Sequence, residues 1–267
     1  MTLDRPRIMG VLNVTPDSFS DGGMFGAAKA ALAAGMTMVE DGADIVDVGG
    51  ESTRPGALTV PPDEEQRRVI PVIKALAAAG VRVSVDTRNS STMAAALDAG
   101  AAIVNDVSGL SYDPAAAPLV ARRGCPVVLM HMRGTPATMR ARAVYANVAA
   151  EVVAELRICV AAAEAAGIRR EAIVLDPGVG FAKDADQSVA VLRALPDVAV
   201  LGFPLLIGVS RKSFIGAVAD EADPLRRLPG SLAAALFALS RGAAILRVHD
   251  VAETVQAVRV WQALSGC

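Results

Sequence analysis

Eight short apolar runs, rich in valine and isoleucine, recur along the chain, and each ends in a polar residue that a purely structural strand would not need. A loop and then an alanine- and leucine-rich stretch with helical spacing follow each run. The pattern predicts strands near 7–13, 43–49, 81–86, 102–107, 126–131, 172–176, 204–210 and 243–249. Strands that alternate with helices indicate a parallel sheet.

The helical stretches between these strands are long enough to cover a closed barrel. They are predicted near 27–41, 63–79, 90–99, 114–123, 144–166, 186–194, 229–241 and 251–264. The chain has 267 residues, and a (β/α)8 TIM barrel typically needs about 250. We therefore expect an α/β fold in which residues 1–267 form one such barrel. Because the active face of this fold lies at the carboxyl ends of its strands, the polar strand ends predict an enzyme.

Five strand-to-helix connections stand out by their length. They are residues 13–26, 49–62, 132–143, 177–185 and 211–228. All five would lie on the active face, where long loops are typical lids over a binding site.

Charge and composition exclude several other classes of protein. Lysine and arginine total 26 against 28 aspartates and glutamates, so we expect no nucleic-acid or membrane-surface binding driven by bulk charge. No charged-then-apolar leader precedes the first strand, and Ser240 and Arg241 interrupt the longest apolar stretch, which predicts a cytoplasmic protein. Cys125, Cys159 and Cys267 lack metal-ligand spacing and are expected to be free thiols without a function.

Two loops carry candidate anion and metal ligands. The first joins Asn13 to Phe19 and Asp21, and its amide and carboxylate oxygens suit Mg²⁺, although an ordinary Asx turn with Phe19 on the surface explains it too. The second holds Thr53 and Arg54, and such an arginine can clamp a phosphate or carboxylate or can simply be solvated.

Four strand ends together suit a flat heterocycle. Asp86 and Asp176 can each accept from adjacent N–H donors, Asn105 can both donate and accept, and Lys212 can donate to a ring carbonyl. The structural alternative is an ion pair between Asp176 and Lys212, since a buried carboxylate needs a partner.

The last strand predicts an anion site. Arg247 and His249 lie two residues apart, hence on one side of a strand, just before a helix N-terminus. His131 is ambiguous, and we favour a structural or supporting role for it. No nucleophile elbow is present, so covalent acyl transfer is not expected.

These segments, in their order along almost the whole chain, resemble the dihydropteroate synthases of the pterin-binding enzyme family. The segments are GVLNVTPDSFSDGG, DVGGESTRPGA, SVDT, NDVSG, LMHM, LDPGVGFAK, GVSRKSFIG and RVHDV. The resemblance implies a folate-biosynthesis transferase, commonly a homodimer, that joins 6-hydroxymethyl-7,8-dihydropterin diphosphate to p-aminobenzoate with Mg²⁺ present. It also implies a sulfonamide target. Arg133 stands where the family commonly has glutamine, so the role of that loop is left open.

The resemblance also implies a role for each site residue. Asp86, Asn105, Asp176 and Lys212 would hold the pterin, with Met130 beneath its ring. The residues near the diphosphate would be Asn13, Thr53, Arg54, Arg247 and His249, with Asn13 on the metal. The p-aminobenzoate site would be bordered by Phe19, Asp21, Arg54, Pro55, Phe181, Lys212 and Ser213. The catalytic set would be Asp21, Arg54, Asp86 and Lys212.

Charge predicts a dissociative, SN1-like transfer. Diphosphate leaves readily when Mg²⁺, arginine and histidine meet its developing charge, and the aryl amine then attacks an electron-poor methylene without a strong base. Two alternatives are a barrel that passes a methyl group from a reduced folate to a corrinoid protein and a non-catalytic pterin-binding paralogue. The first would not need Arg54, Lys212 and Arg247 together, and the second would be expected to lose Asn13 or Arg54, which are present here.

Overall fold

The computed structural model describes residues 4–15, 23–54 and 56–266, with residues 23–27 as backbone alone. Within them, eight parallel strands close into a barrel in chain order. The strands are β1 (Arg7–Asn13), β2 (Ile45–Gly49), β3 (Val83–Asp86), β4 (Ile103–Asp106), β5 (Val127–Met130), β6 (Ile173–Asp176), β7 (Leu205–Ile207) and β8 (Ala243–Val248). The predicted (β/α)8 fold is confirmed. β8 closes the barrel against β1 through the pairs from Arg7 with Ile245 to Gly10 with Val248.

Helices surround the barrel between the strands. They are α1 (Gly23–Glu40), α2 (Pro62–Ala78), α3 (Ser90–Asp98), α4 (Ala116–Arg123), α5 (Val148–Ala165), α6 (Ala185–Arg193), α7 (Leu195–Ala199), α8 (Ser213–Ala219), α9 (Leu228–Ser240) and α10 (Val251–Ser265). Among the described residues, no helix is long and apolar enough to cross a membrane.

The structure corrects three of the predicted boundaries. Residues 211–228 are not a simple loop, because α8 and a 3-10 turn at Pro224–Arg226 lie inside them. α8 ends where Asp220 adopts a left-handed conformation. Because the helix has only seven residues, its apolar pattern is too short to show helical periodicity. α1 begins at Gly23, four residues before the predicted start, and β7 stops at Ile207 instead of residue 210.

Two cores result from the two faces of each strand. One face packs outward against the helices, and the other fills the barrel. The inner core consists of Met9, Ile45, Ile103, Val128, Val174, Leu206 and Ile245, each at most 6% exposed. This layer makes the barrel interior a packed floor rather than a pore, and any ligand must therefore lie above it.

We predict that Leu206→Ala lowers the free energy of unfolding by about 2–5 kcal/mol, because it leaves a cavity in the closed inner core. Leu264→Ala is the matched control, since Leu264 is 83% exposed on α10 and should change stability by about 0.5 kcal/mol or less. Urea unfolding of both variants measures the difference. Equal losses would contradict the packed-floor description.

Candidate active site

A polar layer lies directly above the inner core. Side chains alternate along a strand, so the residue two positions after an inner core residue points into the barrel at its carboxyl end. Asp47 follows Ile45 in this way, and Arg247 follows Ile245. By the same period the layer contains Asp47, Asp86, Asn105, Met130, Asp176 and Arg247. The predicted strand-end residues thus converge on one mouth.

An arginine between two carboxylates forms the centre of this layer. Arg247 Nε lies 2.7 Å from Asp47 Oδ2, and its Nη2 lies 2.6 Å from Asp86 Oδ2. Asn105 Nδ2 donates to the same Asp47 oxygen at 2.9 Å. Asp47 is fully buried, and its other oxygen, Oδ1, has no hydrogen-bond partner. The cluster therefore links four strands, β2, β3, β4 and β8.

Burial and mutual attraction set the charges of this cluster. Burial raises the pKa of Asp86 to about 7, although Arg247 opposes that rise. Burial also disfavours the charge of Arg247, but Asp47 and Asp86 outweigh it and raise the arginine pKa. Asp86 therefore titrates near neutral pH, where a ligand that donates N–H groups to it would favour its ionised form.

Asp176 and Lys212 face the same mouth from β6 and from the residue before α8. Asp176 Oδ1 accepts the backbone N–H of Gly178 at 2.7 Å, and burial raises the pKa of the carboxyl. Lys212 Nζ lies 3.9 Å from the centroid of the Phe181 ring. Burial lowers the pKa of Lys212 to about 8, with Asp176 opposing. Asp176 and Lys212 form no direct ion pair; the structural ion pair of a strand-end acid is found instead between Asp86 and Arg247.

His249 is held as a neutral ring beside Arg247. Its Nδ1 lies 3.0 Å from Ser210 Oγ, which also accepts the His249 backbone N–H at 3.2 Å. The Ser210 hydroxyl can donate its hydrogen to Nδ1, and in that tautomer Nε2 carries the ring hydrogen as a donor. Burial, followed by the charge of Arg247, lowers the pKa of His249 to about 4. α10 begins two residues later, so its N-terminus faces the same place.

The loop residues differ in how closely they approach this centre. Asn13 ends β1 opposite Gly49 and is half-buried, as is Thr53, whereas Arg54 and Ser213 are exposed. Phe181 is buried. The predicted contacts Phe19, Asp21 and Pro55, like Cys267, lie outside the described residues.

Two long loops contact each other at the rim. Gly56 N–H donates to the Pro136 carbonyl at 3.1 Å. Glu51 anchors the first of these loops, since it accepts the Val60 N–H at 2.9 Å and pairs with Arg88 at 3.1 Å. Arg54 therefore projects from a loop that is fixed at both ends.

The two residues with open roles belong to one structural network. His131 Nε2 lies 2.9 Å from Glu155, and its Nδ1 lies 2.9 Å from Lys183 Nζ. Arg133 pairs with Glu151 at 2.8 Å and with Glu155, and its guanidinium lies 4.0 Å from the Tyr145 ring centroid. The supporting role favoured for His131 agrees with this arrangement.

The sequence interpretation assigned no role to Asp47 or Lys183. Asp47 is the polar end of an apolar run and lies two residues after Ile45, so the strand period places it in the mouth but does not identify its partners. Lys183 lies on a loop with no periodic signal, and only the tertiary structure shows that it is buried.

No group of three or more histidine, cysteine, aspartate or glutamate side chains suited to a metal occurs within the described ranges. Cys125 and Cys159 are unpaired thiols there, as expected. Burial raises the pKa of Cys159 to about 11, which keeps that thiol protonated.

Comparison with known proteins agrees with this geometry. The family model described as pterin binding enzyme matches residues 9–249. A dihydropteroate synthase of Neisseria meningitidis serogroup B is 49% identical over 98% of this chain and 94% of its own length.

Three solved structures with the same fold contain 4-aminobenzoic acid, 7,8-dihydropteroate or a sulfonamide drug. The Xanthomonas albilineans dihydropteroate synthase with 4-aminobenzoic acid matches with a TM-score of 0.94 and 50% identity, over 100% of this chain and 96% of its own. The same enzyme in complex with 7,8-dihydropteroate has a TM-score of 0.91 and 47% identity, with the same coverage. A Yersinia pestis dihydropteroate synthase in a sulfonamide drug complex has a TM-score of 0.93 and 40% identity, over 100% and 97% of the two chains.

We predict that Arg247→Met lowers the free energy of unfolding at pH 8 by about 3–5 kcal/mol, because it leaves Asp47 and Asp86 buried without their cation. The loss should shrink at pH 5. Without Arg247 the raised pKa of Asp86 rises further, so at pH 5 the folded variant keeps that carboxyl protonated and buries one charge fewer.

Arg123→Met is the control, since the Arg123 pair with Asp98 is on the surface and should contribute about 1 kcal/mol or less. Denaturant unfolding at the two pH values measures both variants. If Arg247→Met lowers the free energy of unfolding equally at pH 5 and pH 8, the proposed stabilisation of ionised Asp86 by Arg247 is wrong.

Proposed function

Because the chain belongs to the pterin-binding enzyme family, and its relatives over nearly its full length are dihydropteroate synthases, we propose that its barrel mouth is the site of dihydropteroate synthesis. The enzyme joins 6-hydroxymethyl-7,8-dihydropterin diphosphate to p-aminobenzoate and releases 7,8-dihydropteroate and pyrophosphate. The observation that carries the assignment of the site is the polar layer directly above the inner core, in which acids, an amide and a cation lie together at the carboxyl end of the barrel.

The pterin lies on this layer. Asp86 and Asp176 accept its N–H groups, Asn105 supplies a donor and an acceptor, and Lys212 donates to the ring carbonyl. Met130, which is 4% exposed at the end of β5, packs against one face of the ring. The chemistry of each group supports this placement, because a planar ring with edge donors and acceptors satisfies all of them at once.

The diphosphate lies toward β8. His249 Nε2–H, the remaining donors of the Arg247 guanidinium and the N-terminus of α10 provide positive potential there. Asn13, at the end of β1, and Thr53 and Arg54, in the loop after β2, are proposed to border the same side. The two arginines and the helix N-terminus favour an anion over a neutral ligand.

Asn13 fits a magnesium ion that arrives with the diphosphate. The described residues offer no carboxylate cage, so a metal here would rest on one amide oxygen, water and phosphate oxygens, a donor set that Mg²⁺ accepts. When bound, Mg²⁺ would stabilise the charge that develops on the leaving diphosphate.

The p-aminobenzoate site borders Phe181, Lys212 and Ser213, with Phe19, Arg54 and Pro55 proposed to close over it. Phe181 offers an apolar face against the aryl ring, while the cations suit the carboxylate. Asp21 completes the proposed catalytic group together with Arg54, Asp86 and Lys212.

The reaction is a dissociative transfer. The bond between the pterin methylene carbon and the diphosphate oxygen breaks, and its electron pair leaves with pyrophosphate, whose charge Arg247 and His249 stabilise. The carboxylates of Asp86 and Asp176 hold the electron-poor pterin. The amine nitrogen of p-aminobenzoate then forms the new bond to the methylene carbon and releases one proton to solvent water.

We also propose a cytoplasmic homodimer. Large apolar side chains on neighbouring elements, Val200 after α7, Val218 on α8 and Leu225 in the following turn, are 70–82% exposed, which supports burial against a second copy. Sedimentation velocity of the purified protein distinguishes monomer from dimer.

An assay with pterin diphosphate, Mg²⁺ and p-aminobenzoate tests the function. We expect dihydropteroate and pyrophosphate in equal amounts, because each turnover forms one molecule of both. Pterin binding without either product would favour the non-catalytic paralogue. Methyl transfer from a reduced folate to a corrinoid protein, without dihydropteroate formation, would favour the methyltransferase.

We predict that Asp176→Asn weakens pterin binding by about 1–3 kcal/mol, since an amide accepts only part of what the carboxylate accepts and leaves a buried donor unpaired. Calorimetry with a pterin analogue measures the affinity. Asp197→Asn, at an exposed position on α7, is the control. Unchanged affinity in Asp176→Asn would remove this residue from the pterin site.

We predict inhibition by sulfonamides, because an aryl amine with a sulfonyl group has the shape and the nucleophile of p-aminobenzoate. Raising p-aminobenzoate should relieve the inhibition in steady-state kinetics. Inhibition that is independent of p-aminobenzoate concentration would place the drug elsewhere on the protein.

A further inference from the structure

Lys183 is a buried cation with three acceptors. The residue is 8% exposed, and its Nζ lies 2.9 Å from His131 Nδ1 and 3.0 Å from the carbonyl oxygens of both Gly178 and Phe181. A lysine ammonium has three hydrogens and no lone pair. Each hydrogen therefore has one acceptor, and the arrangement is complete only with the charged form.

The tautomer of His131 follows from its other neighbour. Its Nε2 lies 2.9 Å from Glu155, whose pKa Arg133 and His131 hold below the ordinary value although burial opposes them. An ionised carboxylate can only accept, so Nε2 carries the hydrogen and Nδ1 presents its lone pair to Lys183. Burial lowers the pKa of His131 to about 4, which keeps the ring neutral at pH 7.

The charges around Lys183 come from four elements. Asp176 on β6 and Glu155 on α5 favour the ammonium, whereas Lys212 before α8 and Arg133 after β5 oppose it. Burial, the largest influence, lowers the pKa of Lys183 to about 7. The three acceptors replace the hydrogen bonds to water that the ammonium loses on burial.

The lysine ties together a loop that presents two site residues. Residues 177–184 connect β6 to α6, and within them Gly178 N–H donates to Asp176 Oδ1 at 2.7 Å. Gly178 has φ of +68°, and a Cβ there would overlap the carbonyl oxygen of His131. Phe181, whose carbonyl binds Lys183, carries the ring that faces Lys212.

We propose that Lys183, held by His131, is a positioning residue that clamps residues 177–183 and thereby fixes the orientation of Asp176 and Phe181 toward the substrates. The inference rests on the proposed function for the role of those two residues. Lys183 itself does not face the mouth, since all three of its hydrogens are directed to protein acceptors. It acts through the loop.

Two substitutions of one histidine separate the clamp from simple packing. His131→Asn places an amide oxygen near the position of Nδ1 and can still accept from Lys183. His131→Gln reaches the position of Nε2, so it can bind Glu155 but leaves Lys183 one acceptor short. Both remove the same ring.

We expect His131→Gln to weaken 7,8-dihydropteroate binding about tenfold or more, the effect of an unsatisfied buried donor. His131→Asn should stay within about threefold of the unmodified protein. Isothermal calorimetry measures both affinities, and thermal unfolding shows that both variants are folded. Equal affinities in the two variants would overturn the clamp.

Lys183→Met removes all three hydrogen bonds, and Lys74→Met, at an exposed position on α2, is its control. The expected result is a KM for pterin diphosphate raised about tenfold with kcat changed less than about threefold, because substrate orientation is weakened while the reacting groups remain. An unchanged KM in folded Lys183→Met would overturn the proposal.

Nitrogen NMR of ¹⁵N-histidine-labelled protein tests the clamp in the unmodified protein. The experiment needs no substitution and no ligand. The chain has only two histidines, so both can be assigned. His131 should be neutral at pH 7 with its hydrogen on Nε2, and a hydrogen on Nδ1 would overturn the proposal. Failure of the unmodified protein to bind dihydropteroate would instead overturn the proposed function, which keeps the two outcomes distinct.

Discussion

The placement of Arg247 between two buried carboxylates is the constraint on which the site depends. Asp47 and Asp86 come from neighbouring strands, and neither could remain charged beneath the barrel mouth without a cation. Arg247 reaches both because the barrel is closed, with β8 paired to β1. Closure of the sheet and ionisation of the site are therefore coupled. A change that opened the β8 to β1 seam would leave two acids unpaired as well as an exposed strand edge.

The same closure explains why the site is preorganised. Inward-facing positions alternate with outward-facing ones, so a single layer of apolar side chains supports a single layer of polar ones. Asp86 and Asn105 inherit the rigidity of strands that are buried on both faces. The cost of ordering these groups is met during folding, before any ligand binds, which favours tight and specific recognition. Arg54, on the loop after β2, and Ser213, the first residue of α8, are more exposed and so suit the second ligand of the proposed reaction.

The sequence was sufficient for the fold and for most of the site because both depend on local periodicity. Eight repeats of an apolar run with a polar end predict the barrel, and most of the candidate site residues are those ends. Asp47 follows the same rule, but its role could not be predicted because its partners, Arg247 and Asn105, lie far from it along the chain. Lys183 could not be predicted. Its burial depends on acceptors from β5 and from its own loop, and no pattern in the chain marks that convergence. The short helix α8 was missed because seven residues carry too little periodicity.

Burial places several charges of the mouth near their titration points. The pKa of Asp86 is about 7, that of Lys212 about 8, and the rings of His131 and His249 stay neutral because burial lowers their pKa values to about 4. A substrate that donates to Asp86 and accepts from Lys212 stabilises the charged form of both, so binding draws the two groups into their ionised states. In the proposed diphosphate site, the neutral His249 serves as a hydrogen-bond donor and Arg247 carries the fixed positive charge. The charge of Arg247 is fixed because a guanidinium is not deprotonated in proteins, and because two carboxylates lie within hydrogen-bond distance of it.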